Sequence, residues 1–393
     1  MRNGNPISRN IPRCRDTDHL VDFKDSKVSK DSKVFKDSKV LKVLSGLITT
    51  TMRIQIEKRL FHFRQPAGTS RGTYTTRTSW MLHATDERKP ECVGVGECAP
   101  LPKLSCDDIP DYERVLREMC DVVERTGEIP YALLRPYPSM LFGLETALLS
   151  LRNGDVLFDT PFTRGEEGIT INGLVWMGSF EEMRRRMEEK IDQGFGCVKL
   201  KIGAIDFDSE LALVKSLRQR FSSQVMTLRV DANGAFSPLD AMDKLRQLAP
   251  YDIHSIEQPI RQRQWHEMAR LCKTTPIPIA LDEELIGVNS PEMKTDLLDT
   301  IRPQYIILKP SLHGGMRGSE EWIALARQKG IGSWITSALE SNVGLNAIAQ
   351  FTAKVYPGGL HAPQGLGTGQ LFTDNIESPL HIEGEKLWYN PDF

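Results

Sequence analysis

Residues 197–233 read CVKLKIGAIDFDSELALVKSLRQRFSSQVMTLRVDAN. An apolar strand opens at Cys197, an amphipathic stretch runs from Phe207 to Arg220, and a second apolar strand opens at Thr227. The stretch is therefore a strand–helix–strand unit, and the unit repeats on both sides of it. Further apolar strands begin at 169 (ITINGLVWM), 253 (IHSIEQP), 277 (IPIALDE), 305 (YIILKP) and 332 (GSWITSALE), and Ser179 to Gln193 is another amphipathic helix. A βα repeat of about 25 to 30 residues, seven or eight times over, predicts a parallel α/β barrel. A doubly wound sheet is the competing architecture, but no GxGxxG follows the first strand, and GLGTG at 365–369 comes too late to serve.

Upstream the rhythm differs. Met52 to Phe63 alternates as MRIQIEKRLFHF, a half-buried strand, and Trp80 to Thr85 and Cys92 to Glu97 read as further strands. Residues 110–126 and 138–152 read as helices, the second with Leu141, Leu144, Ala147, Leu148 and Leu151 at helical spacing. This is an α+β domain. Residues 24–43, KDSKVSKDSKVFKDSKVLKV, form a hexad repeat with Lys24, Lys30 and Lys36 in register. Residues 1–51 hold 11 Lys/Arg against 6 Asp, a local charge of +5, which leaves -7 for the rest of a chain whose net charge is -2. Such a polar repeat cannot offset its own ordering entropy, so residues 1–51 are expected to be a disordered or non-native extension, with Met52 as the natural start. A basic targeting tail is the alternative, but it would be poorer in acids.

The near balance of 50 Lys+Arg and 52 Asp+Glu removes any bulk basic field for nucleic acid. No run of about 18 apolar residues predicts a membrane span. Seven cysteines without a CxxC pair predict reduced thiols in a soluble, cytoplasmic protein rather than a zinc ribbon.

Reactive groups of a barrel gather at the carboxyl ends of its strands. Those ends carry Lys199 and Lys201, Arg229 and Asp231, Glu257, Asp282, Lys309 and Glu340. From Lys201 to Asp231, Glu257, Asp282 and Lys309 the steps are 30, 26, 25 and 27 residues, one βα unit each. Lys199 and Lys201 lie two apart and point the same way, as do Arg229 and Asp231. A single acid at a strand end commonly caps the next helix. Three acids on successive strands would repel one another unless a cation sat between them. Asp231, Glu257 and Asp282 are thus the expected ligands of Mg²⁺, with Mn²⁺ able to substitute, because all three are hard oxygen donors. The open positions suit a small-molecule carboxylate substrate whose α-proton is removed. Lys201 is the expected base, Lys199 the neighbour that lowers its pKa, and Lys309 the group across the mouth, as acid/base or as electrostatic stabiliser. A Schiff-base aldolase would also place a lysine on a barrel strand but needs no carboxylate trio. A non-catalytic metal-binding barrel would have no use for both lysines and all three acids.

KLKIG, RVDANGAF, IEQPI, ALDEEL and ILKP, in this order, resemble the enolase superfamily, muconate-lactonizing subgroup. The resemblance runs from Met52 to the C-terminus. It implies a modified TIM barrel, (β/α)7β, over residues 165–372, with an α+β capping domain over residues 52–164 joined by the C-terminal tail 373–393. PAGTSRG at 66–72, GECAPLP at 96–102, SALESNVGLNAIAQ at 337–350 and GLGTGQLFTDN at 365–375 are most similar to the o-succinylbenzoate synthase family of menaquinone biosynthesis. Dipeptide epimerases of the subgroup typically carry a late Asp-x-Asp, where this chain has Thr336, Ser337, Ala338 and Glu340, so a cationic substrate is not expected. N-succinylamino acid racemases share much of the pattern and stay open as the alternative.

The likeness implies dehydration, with Lys201 as base, Lys309 staying charged and Mg²⁺ on Asp231, Glu257 and Asp282. Arg229 is then expected to tune the base or pair with a metal ligand. Ser70 and Arg71 are expected to close over a succinyl tail, and Ser337, Glu340 and Ser341 to contact substrate or cap the following helix. An oligomer is compatible with all of this.

Overall fold

The computed structural model describes residues 51–69, 72–176, 179–203, 205–358 and 362–393. The expectation for the N-terminal extension falls, but for Thr51, outside the described residues, and so do Ser70 and Arg71.

Strands β1 (Met52–Thr69), β2 (Gly72–Asp86) and β3 (Lys89–Cys98) form an antiparallel sheet in the order β1-β2-β3. Alternation decides its faces: Ile54, Phe61 and Phe63 are buried while Arg53, Gln55 and His62 are exposed. Helices α1 (Tyr112–Thr126), α2 (Tyr131–Leu134) and α3 (Pro138–Asn153) follow. The apolar stripe read from the sequence, Leu141, Leu144, Ala147 and Leu148, packs into one cluster with Ile54, Leu82 and Leu116. Burying each of these leucines stabilises the domain by about 2 kcal/mol.

The barrel follows the predicted rhythm. After β4 (Ile169–Thr170) and β5 (Gly173–Val175), helix and strand alternate without interruption: α4 (Phe180–Asp192), β6 (Cys197–Lys201), α5 (Phe207–Arg220), β7 (Thr227–Asp231), α6 (Ala241–Leu248), β8 (Ser255–Glu257), α7 (Trp265–Thr274), β9 (Ile279–Leu281), α8 (Pro291–Ile301), β10 (Tyr305–Leu308), α9 (Gly315–Gln328), β11 (Gly332–Ile335) and α10 (Asn342–Val355). Strands β5 to β11 lie in sequence order, each parallel to its neighbours. Helix starts are set locally. Ser179 and Glu182 form a capping box for α4, Asp206 accepts the amide of Ser209 for α5, and Ser290 with Pro291 opens α8.

The ring is closed by a strand of two residues that periodicity does not reveal. Gln364 bridges in parallel to Ile171, and Gly365 to Thr336. Gly365 N donates to Ile335 O at 2.8 Å and Asn172 N donates to Gln364 O at 2.9 Å. Among the described residues this makes eight strands and seven α-helices in the (β/α)7β pattern. The glycine of the GLGTG run is required by packing: a Cβ at 365 would lie 2.2 Å from Thr336 Oγ1. Gly365→Ala should therefore lower stability by about 2–3 kcal/mol through overpacking, measured as a shifted urea midpoint with an unchanged m-value.

The end of the chain divides its contacts. Just before the tail, Phe372 packs on Phe61 and Phe63, with ring centroids 5.3 and 4.6 Å apart, and within it Thr373 N donates to His62 O at 2.9 Å. Strands β12 (Leu380–Glu383) and β13 (Lys386–Tyr389) instead form a second small sheet with β4. Cys98, Cys106, Cys120, Cys197 and Cys272 are free thiols, as the sequence predicted. Cys92, on β3, is disulfide-bonded, a correction to that expectation.

Low in the barrel, the His254 ring stacks on Tyr305 at 5.1 Å, beside Trp334. Burial, then the charge of Arg229, pushes its pKa from 6.5 down to about 4. The unfolded chain takes up this proton near pH 6.5 and the folded chain near 4. The contribution is therefore fully present above pH 6.5 and is lost as pH falls through that window. Urea midpoints between pH 7 and 4.5 should fall less steeply for His254→Phe than for the parent.

Candidate active site

Parallel pairing in register lines up the strand ends. Lys201 lies opposite Asp231, and Asp231 opposite Glu257. With side chains alternating along each strand, Lys199 and Lys201 face one mouth. Lys199 Nζ donates to Asp231 Oδ2 at 2.9 Å and to Glu257 Oε2. Lys201 Nζ reaches Asp231 Oδ2 at 3.2 Å and Asn233 Oδ1 at 2.7 Å. On the far side Lys309 Nζ donates to Asp282 Oδ2. The structure thus gathers all six predicted residues, with Lys201 and Lys309 at opposite ends of the carboxylate row.

All three carboxylates are buried, with Asp282 fully so. Burial, then the charge of Asp231, pushes Glu257 up to about 8, and burial also raises Asp282. Asp231 is held well below the usual carboxylate range, since Lys199 and Lys201 outweigh its burial. Burial would lower Lys199 and Lys309, but facing carboxylates outweigh it, and both ammonium groups are held up. The acids act directly on these two lysines and keep them charged.

Among the described residues no three acidic, His or Cys side chains stand as a finished metal cage. Lys199 spans Asp231 and Glu257 instead, so a cation bound there requires its ammonium to step aside. The donor set nevertheless fits a hard divalent ion. Two buried oxygens, Glu257 Oε1 and Asp282 Oδ1, have no hydrogen-bond partner, and every candidate ligand is a carboxylate.

Residues that sequence reasoning missed support this row. Asn233 Nδ2 donates to Glu283 Oε1 at 3.0 Å while its own oxygen receives Lys201, so the amide aims the amine. Buried Gln258 accepts the amides of Asp282 and Glu284 at 3.2 Å each and donates to Glu284, fixing the turn that presents Asp282. Asn233, Gln258 and Leu339, just beyond β7, β8 and β11, have φ of 44°, 38° and 64°. Left-handed non-glycine backbone is costly and persists where surrounding contacts over-determine it. The available signals were the polar residues beside the motif acids, in DAN, EQP and DEE.

The remaining candidates separate. Ser337 lines the cavity and shares a 2.6 Å hydrogen bond with Thr368. Glu340 and Ser341 are fully buried and do not line the cavity, and of the two roles expected of this group, substrate contact or helix cap, Ser341 takes the cap. Glu340 accepts from Ser311 and from Ala338 N, while Ser341 caps α10. Arg229 lies below the carboxylates, its guanidinium 4.1 Å from the Trp334 ring centroid and donating to Pro363 O at 2.8 Å. Among the described residues it forms no ion pair with a carboxylate, and it does not line the cavity. Leu101, Trp176, Leu312 and Leu339 give the cavity apolar walls around the charged floor.

Residues 182–389 match the model of the family described as enolase C-terminal domain-like. The chain is 46% identical over 361 residues to the o-succinylbenzoate synthase of Desulfotalea psychrophila (strain LSv54 / DSM 12343), across 83% of this chain and 95% of that protein. It is 26% identical to an N-succinylamino acid racemase of Amycolatopsis sp, over 82% of this chain and 88% of the relative. The crystal structure of MenC from Desulfotalea psychrophila LSv54 superposes with a TM-score of 0.75 at 41% identity, covering 86% of this chain and 100% of that one.

Proposed function

The chain belongs to the enolase superfamily, and from that premise we propose that it is an o-succinylbenzoate synthase, a lyase of menaquinone biosynthesis. It removes water from 2-succinyl-6-hydroxy-2,4-cyclohexadiene-1-carboxylate and leaves o-succinylbenzoate. The observation that carries this reading is 46% identity to such a synthase over 95% of its length.

Lys201, as free amine, takes the proton α to the ring carboxylate; the electrons of the broken C–H bond move into the carboxylate. They return as the C–O bond of the 6-hydroxyl breaks, the ring becomes aromatic, and protonated Lys201 gives its proton to the departing hydroxyl, which leaves as water. One amine serves both transfers on one face. Asp231 Oδ2 and Asn233 Oδ1, at 3.2 and 2.7 Å, hold that amine in place. Lys309 keeps its charge beside Asp282 and stabilises negative charge from the other side. Asp231, Glu257 and Asp282 would hold Mg²⁺, or Mn²⁺ in its place, whose charge lowers the cost of a second negative charge on the substrate carboxylate. In the same proposal residues 52–164 and 373–393 cap a barrel of residues 165–372, and the enzyme works in the cytoplasm. Among the described residues no helix is long and apolar enough to cross a membrane.

The 26% relative and the two opposed lysines favour N-succinylamino acid racemisation as a second reading. Purified protein should be assayed by absorbance on the cyclohexadiene carboxylate and by polarimetry on N-succinyl amino acids. Dehydration is expected to be the efficient reaction; racemisation without dehydration overturns the first reading.

A further inference from the structure

Beside the cavity, between the N-terminal sheet and the barrel, lies a group of buried charged side chains that the chemistry above does not use. Arg77 on β2 is 1% exposed, and Glu97 on β3 and Glu340 after β11 are fully buried. Arg77 donates to Ala99 O at 2.6 Å and Pro100 O at 3.0 Å within its own domain, and to Ala338 O of the barrel at 3.3 Å. Ala338 N in turn donates to Glu340 at 2.6 Å, and Glu340 receives Ser311 from the segment that follows Lys309. Glu97 accepts Ser341 N at 3.0 Å, Ser341 Oγ at 2.6 Å and Gly344 N at 2.9 Å, so a carboxylate of one domain caps a helix of the other. Both peptide groups of Ala338 are thereby tied, immediately before Leu339 with its left-handed φ of 64°. Ser337, Ala338 and Leu339 form one wall of the substrate cavity.

We propose that Arg77 is a positioning residue for substrate binding: from the capping domain it holds the Ser337–Leu339 wall in its strained turn and so sets the width of the cavity. The inference rests on the functional reading above and names a determinant of that same site. A guanidinium suits the task because its planar fork reaches carbonyls on two domains at once, which an ammonium at the end of a flexible stem does not. Arg77 also supplies positive charge to the region of Glu340 and Glu97, whose charges act on it. Removing it outright would leave two buried acids without that compensation.

The test therefore uses Arg77→Lys, which keeps the charge, and Glu340→Gln, which keeps the size but removes the charge that faces Arg77 and one of the two acceptor oxygens that hold Ser311 and Ala338 N. Each is compared with the parent in KM and kcat for dehydration, in Kd for o-succinylbenzoate by calorimetry, and in thermal unfolding. A wall displaced by a fraction of an ångström should raise KM and the product Kd together by about tenfold or more in Arg77→Lys, with kcat within about threefold. Glu340→Gln should move the same two constants in the same direction. Folded variants with unchanged KM and Kd overturn the inference, as does a fall in kcat and stability that leaves KM untouched. If Arg77→Lys does not fold, Glu340→Gln decides by the same readings. A parent protein that neither dehydrates the substrate nor binds the product overturns the functional reading and this inference with it, and that result is seen before any variant is made.

Discussion

Lys201→Ala should lose about 10⁴-fold in kcat for dehydration while remaining folded, because one amine carries the proton in both halves of the reaction. Folding is spared for a reason visible in the site. Lys201 makes hydrogen bonds to Asp231 and Asn233, but Asp231 keeps Lys199 at 2.9 Å, so no buried carboxylate is left without a counter-charge. The loss should fall on kcat and kcat/KM alike, since the proton transfer is made in the transition state. A variant that keeps near-parental kcat means that another group is the base. Far-UV circular dichroism and the unfolding midpoint, both expected within error of the parent, separate this result from misfolding.

The second large effect is metal dependence. Three acids on adjacent strands share one small volume; burial and the charges of Asp231 and Asp282 raise Glu257, and burial raises Asp282. Lys199 bridges two of the three, leaving Glu257 Oε1 and Asp282 Oδ1 without hydrogen-bond partners. Treatment with EDTA should lower activity by about a thousandfold, and added Mg²⁺ should restore it. Mg²⁺ added to chelated protein should also raise the unfolding temperature, as any ligand of the native state does. Full activity in the chelator would falsify the metal assignment. Asp282→Asn and Glu257→Gln should each remove the Mg²⁺-dependent rise in unfolding temperature.

The fold and the reactive row were legible for the same reason. A βα repeat is local, and in a parallel barrel each strand ends at the same rim, so a residue at the end of one repeat is neighbour to the residue at the end of the next. Lys201, Asp231, Glu257, Asp282 and Lys309 follow from spacing alone, and so do their common direction and the helices between them. The closing strand at Gln364–Gly365 leaves no such pattern, because two residues held by bridges to Ile171 and Thr336 have no period to read.

What the chain by itself determined is thus the barrel, the order of its reactive groups and the likeness to a family. Only the tertiary structure decided which neighbouring polar residues face the cavity and which serve the frame. Ser337, Glu340 and Ser341 lie within five residues of one another, yet the first lines the cavity and the others are consumed by the interface. Glu97 meets Ser341 across 244 positions, and Arg77 meets Ala338 across 261. Such pairs are made when two domains dock and every buried donor must find an acceptor, a requirement of the packed interior that no local periodicity encodes.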